Sequence, residues 1–127
     1  MRKRICLFFA AMLLCMSNIM AQVASGSCGD NITWKLSVEG ELVIEGTGAM
    51  TDFPFNSHAP WYQYRESVLS VTIGEGVTHV GGNAFRDYSK LTTATISASV
   101  TSIANDAFWG TGLTSFVIPE NSQKLLQ

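Results

Sequence analysis

Side chains able to make or break bonds are few in this chain. Beyond residue 21 the histidines are His58 and His79, and Cys28 is the sole cysteine. A zinc site takes several His, Cys, Asp or Glu ligands at short, regular spacing, whereas these three side chains are widely separated in sequence. We therefore expect no metal site.

Catalytic motifs are also missing from the sequence. No G-x-S-x-G segment offers a serine nucleophile, and the glycines at 74–76 and 81–82 do not complete a dinucleotide-binding fingerprint. The chain has ten acidic residues, but no spacing singles out a carboxylate pair for glycoside hydrolysis. We expect no catalytic residue and no cofactor, so the sequence predicts a protein that is not an enzyme.

Aromatic side chains offer binding chemistry instead. They are dense in residues 49–66, where they include Phe53, Phe55, Trp61, Tyr62 and Tyr64. Exposed rings could form a stacking platform for sugars or a peptide groove, which makes Trp61, Tyr62 and Tyr64 candidate binding residues. The same rings could instead cover the open end of a repeat array, because a terminal repeat lacks one neighbour. The capping interpretation is favoured, and the platform remains open.

An internal repeat indicates which elements position these residues. Residues 68–90 and 91–112 follow one template, and a partial copy occupies 113–127. Ile73, Ile96 and Ile118 occupy matching positions, 23 and then 22 residues apart. Such a period predicts a solenoid whose repeats bury their apolar faces against their neighbours.

Each repeat begins with an alternating segment that predicts a strand. Val71 and Ile73, with their counterparts in the next repeats, should point into the core. The alternate positions should face outward as ladders, and we take them as a candidate binding face: Ser70, Thr72, Thr93, Thr95, Ser115 and Val117. A plain soluble β face is the alternative, since threonine favours strands. Trp109 is a further candidate contact residue, because the first repeat carries Arg86 at that position.

A β-hairpin is predicted over residues 30–48, ahead of the repeats. Trp34, Leu36, Leu42 and Ile44 alternate with polar residues, and Glu39-Gly40 marks the turn. We expect these four apolar side chains to share one buried face. The hairpin and the aromatic segment together form a predicted capping module over residues 22–67.

Residues 1–21 are predicted to be a secretory signal peptide, cleaved after Ala21. A basic start at residues 2–4 precedes an uncharged run over residues 5–16. Cleavage would leave five basic and ten acidic residues, for a net charge of −5. That charge argues against nucleic acid or anionic lipid as the partner, and no later run is apolar enough to cross a membrane. Cys28 would remain as a buried thiol, with an intermolecular disulfide or a reactive thiol as the alternative.

The repeat pattern resembles that of the BspA-like leucine-rich repeats. Residues 68–85 read V-x-x-V-T-I-x-x-x-V-T-x-V-x-x-x-A-F and residues 91–108 read L-x-x-x-x-I-x-x-x-V-T-x-I-x-x-x-A-F. The segments CGDNITW at 28–34, LVIEGTGAM at 42–50 and APWY at 59–62 resemble the module that often precedes such repeats. The resemblance implies a secreted or surface-attached bacterial protein, some of whose relatives are adhesins, and it implies no catalytic residues.

These observations predict a mainly β fold: a short leucine-rich-repeat solenoid of about two and a half repeats, capped by the N-terminal hairpin module. The predicted function is adhesin-like recognition of an extracellular protein or glycan on a host or neighbouring cell. One alternative is an inactive or structural fragment of a longer repeat protein, and another is a carbohydrate-binding accessory module. The incomplete third repeat would leave Phe116 exposed at an open end, which could support self-association.

Overall fold

The computed structural model describes residues 22–117. The predicted signal peptide and residues 118–127 of the third repeat lie outside this range. Within it the fold is mainly β, and nine strands form two sheets: β1 (Gln22–Gly29), β2 (Ile32–Ser37), β3 (Glu41–Gly46), β4 (Gly48–Ala49), β5 (Ser70–Ile73), β6 (Val77–Val80), β7 (Thr93–Ile96), β8 (Ser102–Ile103) and β9 (Ser115–Val117). A short 3-10 helix over Tyr62–Tyr64 precedes the repeats.

The predicted hairpin is formed by β2 and β3. Its strands pair antiparallel, with Trp34 opposite Ile44 and Leu36 opposite Leu42, and all four side chains are buried. The structure adds a third strand, β1, which pairs antiparallel with β2. Gly26 of β1 lies opposite Trp34, where a Cβ atom would come within 2.8 Å of the indole Nε1. Glycine therefore lets this strand cross the Trp34 ring.

The capping module and the repeats share one sheet. β3 pairs in parallel with β5, so that Leu42 lies beside Val71 and Ile44 beside Ile73. β5 pairs in the same way with β7, and β7 with β9. The strand order of this six-stranded sheet is β1-β2-β3-β5-β7-β9, and β4, β6 and β8 form a second, three-stranded sheet. The second strand of the hairpin therefore acts as the first rung of the solenoid.

Stacked rings run through the core from one repeat to the next. The Phe85 and Phe108 rings stack with their centroids 5.1 Å apart, and Trp61 stacks on Phe85 at 5.6 Å. Trp61 is fully buried, and its Nε1 donates a hydrogen bond to the carbonyl oxygen of Ala84 at 2.8 Å. In the capping module, Trp61 therefore occupies the position in the ring stack that Phe85 and Phe108 occupy in the two repeats.

Candidate functional site

The outer face of the six-stranded sheet carries aligned rows of side chains. The strand registers place one residue from each of five neighbouring strands in a single row, in the order Lys35, Val43, Thr72, Thr95 and Val117. With neighbouring strands about 4.8 Å apart, such a row is roughly 19 Å long. A second row runs Glu41, Ser70, Thr93 and Ser115. We call these two rows the strand face.

The strand face contains all six of the predicted ladder residues and extends beyond them. The inward and outward alternation is confirmed for the two full repeats, since Val71, Ile73, Ala94 and Ile96 are buried while the ladder residues are partly or fully exposed. Phe116, their inward counterpart in the third repeat, is 37% exposed, so the prediction was wrong there. Sequence reasoning placed the face on the repeats alone and missed its continuation onto the hairpin. The similarity between Leu42-Val43-Ile44 and Val71-Thr72-Ile73 could have indicated it.

The hairpin end of the strand face is charged. Lys35 Nζ lies 3.2 Å from Glu45 Oε1, and Thr72 Oγ1 donates a hydrogen bond to Glu41 Oε2 at 2.9 Å. Lys35, Glu41 and Glu45 border a shallow depression of about 310 Å³ that Val43 also lines. The ion pair and the hydrogen bond orient these side chains only weakly, because Lys35 and Glu45 are each 52% exposed.

The repeat end of the strand face is neutral and offers hydroxyl groups. Within residues 22–117, the side-chain hydroxyls of Thr93 and Thr95 make no hydrogen bond to other protein groups. Thr92 and Thr114, by contrast, donate theirs to carbonyl oxygens of the preceding rung. Thr93 and Thr95 can therefore donate to, and accept from, a ligand without disrupting contacts between repeats.

The rings of Trp61, Tyr62 and Tyr64 do not form an open platform. Trp61 is buried in the core. The Tyr62 ring stacks with His58 at 3.6 Å between centroids, and the Arg65 guanidinium carbon lies 4.1 Å from its centroid. Tyr64 is partly buried and packs against the core. These contacts favour the capping interpretation of the aromatic segment, because they leave no free ring face on Trp61 for a ligand.

Trp109 belongs to a cluster of side chains that sequence reasoning did not connect. The Arg86 guanidinium carbon lies 4.4 Å from the Trp109 ring and 4.2 Å from the Phe55 ring. Arg86 Nε is shielded from solvent without a hydrogen-bond partner, and its nearest carboxylate oxygen is Asp87 Oδ2 at 3.9 Å. We call Phe55, Arg86 and Trp109 the aromatic–arginine cluster. The matching positions of Arg86 and Trp109 after each Ala-Phe pair could have indicated two of these three residues.

A hydrogen-bonded chain joins the capping module to both repeats. Asp52 Oδ1 lies 2.8 Å from His79 Nε2, and His79 Nδ1 lies 2.7 Å from Ser102 Oγ. The hydrogen bond with His79, followed by that from the Gly82 backbone N–H, lowers the pKa of Asp52 below its usual value. This chain of contacts spans three rungs and ties them together.

Three further properties of the described residues concern possible metal ligands, the Cys28 thiol and the lengths of the helices. Residues 22–117 contain no cluster of His, Cys, Asp and Glu that could hold a metal ion. Burial raises the pKa of Cys28 to about 12, so its thiol is protonated at neutral pH. No helix among these residues has the length and apolar character needed to cross a membrane.

Comparisons with known proteins agree with the architecture. The profile of the BspA type leucine rich repeat region, which represents six copies, matches residues 60–127. The crystal structure of a leucine-rich repeat protein from Eubacterium ventriosum, at 2.50 Å resolution, is similar with a TM-score of 0.69 and 34% sequence identity. That match covers 74% of this chain and 26% of the other, so this chain spans about a quarter of its relative. A search among curated proteins found no match.

Leucine-rich repeats of this type form a repeat-protein fold that generally serves protein interaction rather than catalysis. The repeat profile covers more than half of the sequence. The strands of successive repeats lie next to one another in one sheet, as expected for a leucine-rich-repeat solenoid. The chain belongs to the BspA-type leucine-rich repeat family.

Proposed function

We propose that the chain is a secreted or surface-exposed recognition module that binds an extracellular protein through its strand face. The observation that carries this proposal is the row of aligned side chains across five strands. Solenoids commonly bind partners through such extended surfaces, because neighbouring repeats present equivalent positions at regular spacing. Recognition of a protein on a host or neighbouring cell would make the module adhesin-like.

The composition of the strand face suits a protein partner. Val43 and Val117 contribute apolar area at two points of one row. Between them lie Thr72, whose hydroxyl donates to Glu41, and Thr95, whose hydroxyl has no protein partner within residues 22–117. Each hydroxyl that replaces a water contact by a direct hydrogen bond contributes about 1 kcal/mol. A single surface of this size would give modest affinity, which repeated display on a cell surface could raise through avidity.

Binding to immobilised matrix proteins tests this proposal. Purified residues 22–127 are expected to bind a matrix protein saturably, and Thr72→Lys with Thr95→Lys should weaken binding at least tenfold by placing charge and bulk in the row. The matched control is Thr78→Lys with Thr101→Lys, two exposed threonines associated with the three-stranded sheet. Circular dichroism of every variant reports folding. Equal loss in both double variants, or none in the first, would reject the strand face as the site.

Export of the protein rests on the predicted signal peptide and is tested separately. We infer that residues 1–21 direct the chain across a membrane and are removed after Ala21. The whole chain, expressed in a bacterium, should then appear outside the cytoplasm with Gln22 as its first residue. N-terminal sequencing checks this, and retention of Met1 on the recovered protein would contradict it.

The end of the solenoid supports a second proposal, association through β9. Phe116 and Val117 are 37% and 50% exposed, and β7 is the neighbour of β9 on one side. Within residues 22–117 no strand pairs with the other edge of β9, and a strand edge with apolar side chains favours pairing with another strand. Further repeats of a longer chain could supply that strand, in line with the relative of which this chain spans about a quarter, and so could a second copy. Sedimentation of residues 22–127 distinguishes the two, because only pairing between copies gives a dimer.

A further inference from the structure

The aromatic–arginine cluster has the composition of a protein-binding hot spot. Phe55 and Trp109 are 63% and 56% exposed, and they are the aromatic rings among the described residues that are more than half exposed. Both contact the same guanidinium group. Trp, Tyr and Arg are enriched among the residues that contribute most of the binding energy at protein interfaces, whereas an isolated exposed apolar side chain is common on protein surfaces.

Backbone contacts hold the cluster in place. The three residues lie in the loops that follow β4, β6 and β8. Asp87 donates its backbone N–H to the Trp109 carbonyl oxygen at 2.7 Å, and Asn83 Nδ2 donates to the Phe53 carbonyl oxygen at 2.7 Å. Each loop is therefore fixed to the next. A partner would lose little conformational entropy in binding such a preorganised surface.

The charge of the described surface favours a basic partner. Residues 22–117 contain nine acidic and four basic residues. Each basic side chain is already engaged: Lys35 with Glu45, Lys90 with Glu66, Arg65 with Tyr62, and Arg86 with the cluster. The excess of carboxylates creates a negative potential, which accelerates encounter with a basic protein and slows encounter with an acidic one.

The loops that bear Arg86 and Trp109 also carry an excess of negative charge. Asp87 approaches Arg86 and offsets its charge. Asp106 is exposed, precedes Trp109 by three residues, and has no ion pair within the described part of the chain. Arg86, Asp87 and Asp106 together therefore carry a net charge of −1 in the two loops that bear Arg86 and Trp109. A second cation could stack on the Trp109 ring and pair with Asp106 while keeping clear of Arg86.

We propose that the aromatic–arginine cluster is a second protein-binding site, which accepts an arginine- or lysine-rich segment of a partner. The cationic side chain lies over Trp109, and Asp87 and Asp106 provide the opposing charge. The apolar part of that side chain packs against Phe55 and the indole. The site is separate from the strand face, because its loops follow the strands of the other sheet, so it does not depend on the function proposed above.

Titration with short peptides tests the site. The probe is a peptide of alternating arginine and glycine, and its matched partner carries citrulline, which keeps the shape but removes the charge. Trp34 and Trp61 are buried, so acrylamide quenching of fluorescence reports mainly on Trp109. The arginine peptide should protect this ring from quenching at low salt, and the citrulline peptide should do so several-fold less. Added salt should weaken the effect.

Variants locate the binding by calorimetry. Trp109→Ala and Phe55→Ala should each weaken arginine-peptide binding about threefold to tenfold, and Asp87→Asn with Asp106→Asn should weaken it similarly. The controls are Leu69→Ala, which removes an exposed apolar side chain elsewhere, and Glu39→Gln with Glu75→Gln, which removes two distant charges. Circular dichroism confirms that each variant folds.

Three results would overturn the proposal. Equal binding of the arginine and citrulline peptides would remove the role of the cation. Equal loss in the test and control variants would reduce the effect to overall charge. Protection of Trp109 by a neutral oligosaccharide, with none by the arginine peptide, would assign the cluster to glycans instead. Each outcome leaves the strand-face experiment unaffected, since the two sets of variants share no residue.

Discussion

Replacing Trp61 distinguishes a capping role of the aromatic segment from a ligand platform. The Trp61 ring is fully buried, stacks on Phe85, and makes edge contacts with Trp34 and Phe53 at 5.6 and 5.8 Å. Truncating a buried tryptophan to alanine costs about 3–5 kcal/mol of unfolding free energy. Small domains have about 5–15 kcal/mol in total, so Trp61→Ala should remove a large share of the stability.

A milder substitution, Trp61→Phe, should leave the protein stable enough for its unfolding midpoint to be measured. Trp61→Phe retains a ring that can stack on Phe85 but lacks Nε1, so the Ala84 carbonyl oxygen loses its side-chain hydrogen bond. Leaving that buried acceptor without this donor costs about 1–3 kcal/mol, and the smaller ring adds a modest packing loss. We therefore expect Trp61→Phe to lie between the wild type and Trp61→Ala. Trp109→Ala, at an exposed ring, should change stability by less than about 0.5 kcal/mol.

Urea unfolding of residues 22–127, followed by far-UV circular dichroism, measures these differences as shifts of the midpoint at constant slope. The expected order of stability is wild type, Trp109→Ala close beside it, then Trp61→Phe and Trp61→Ala. A Trp61→Ala protein with the wild-type midpoint would refute the capping argument. Loss of binding to an immobilised glycan by that stable variant would favour the ligand platform.

Other perturbations test individual contacts. Asp52→Asn should lower the free energy of unfolding by less than about 1 kcal/mol at neutral pH, because the carboxylate is largely exposed. The pKa of Asp52 in the folded protein is lowered from 3.8, so the extra stability of the wild type is fully present above that value and is lost as pH falls through the folded pKa. Urea midpoints of both proteins at several pH values measure this difference. Cys28 should resist a thiol reagent at pH 8 in the native protein and react fully in urea, since the thiol is buried and its pKa is raised to about 12. Gly110→Ala should destabilise by at least about 1 kcal/mol in thermal unfolding, because φ is +77° and a Cβ would approach Asp87 Oδ1 to 2.6 Å. Gly48→Ala, with φ at +98° and open space around it, should cost less.

Most of the fold could be predicted from the periodicity of the apolar residues. The hairpin face of Trp34, Leu36, Leu42 and Ile44 and the inward positions of the repeats were predictable, because one-face burial requires alternation in a strand. The strand β1 was not predicted. Its sequence, QVASGSCG, consists mainly of small and polar residues, so no alternation marks it, and its extended form follows from pairing with β2.

Contacts between rungs were harder to predict than the rungs themselves. The pairs Asp52–His79 and Phe55–Arg86 are 27 and 31 residues apart and join the capping module to the first repeat. The capping module departs from the repeat template in sequence, so no alignment gives the register of its loops against those of the repeat. Burial of Trp61 could be suspected, but its exact place above Phe85 depends on that register.

Parallel stacking explains how the variable positions of the repeats place unlike side chains in contact. Equivalent residues of consecutive rungs lie side by side, as Thr72 does with Thr95 and His79 with Ser102. Positions that repeat the same apolar residue build the core, whereas positions that change type from rung to rung place unlike groups in contact. The change from Arg86 to Trp109 creates a cation–π pair in this way. A repeat array can thus vary its binding chemistry one rung at a time without altering the packing that holds the rungs together.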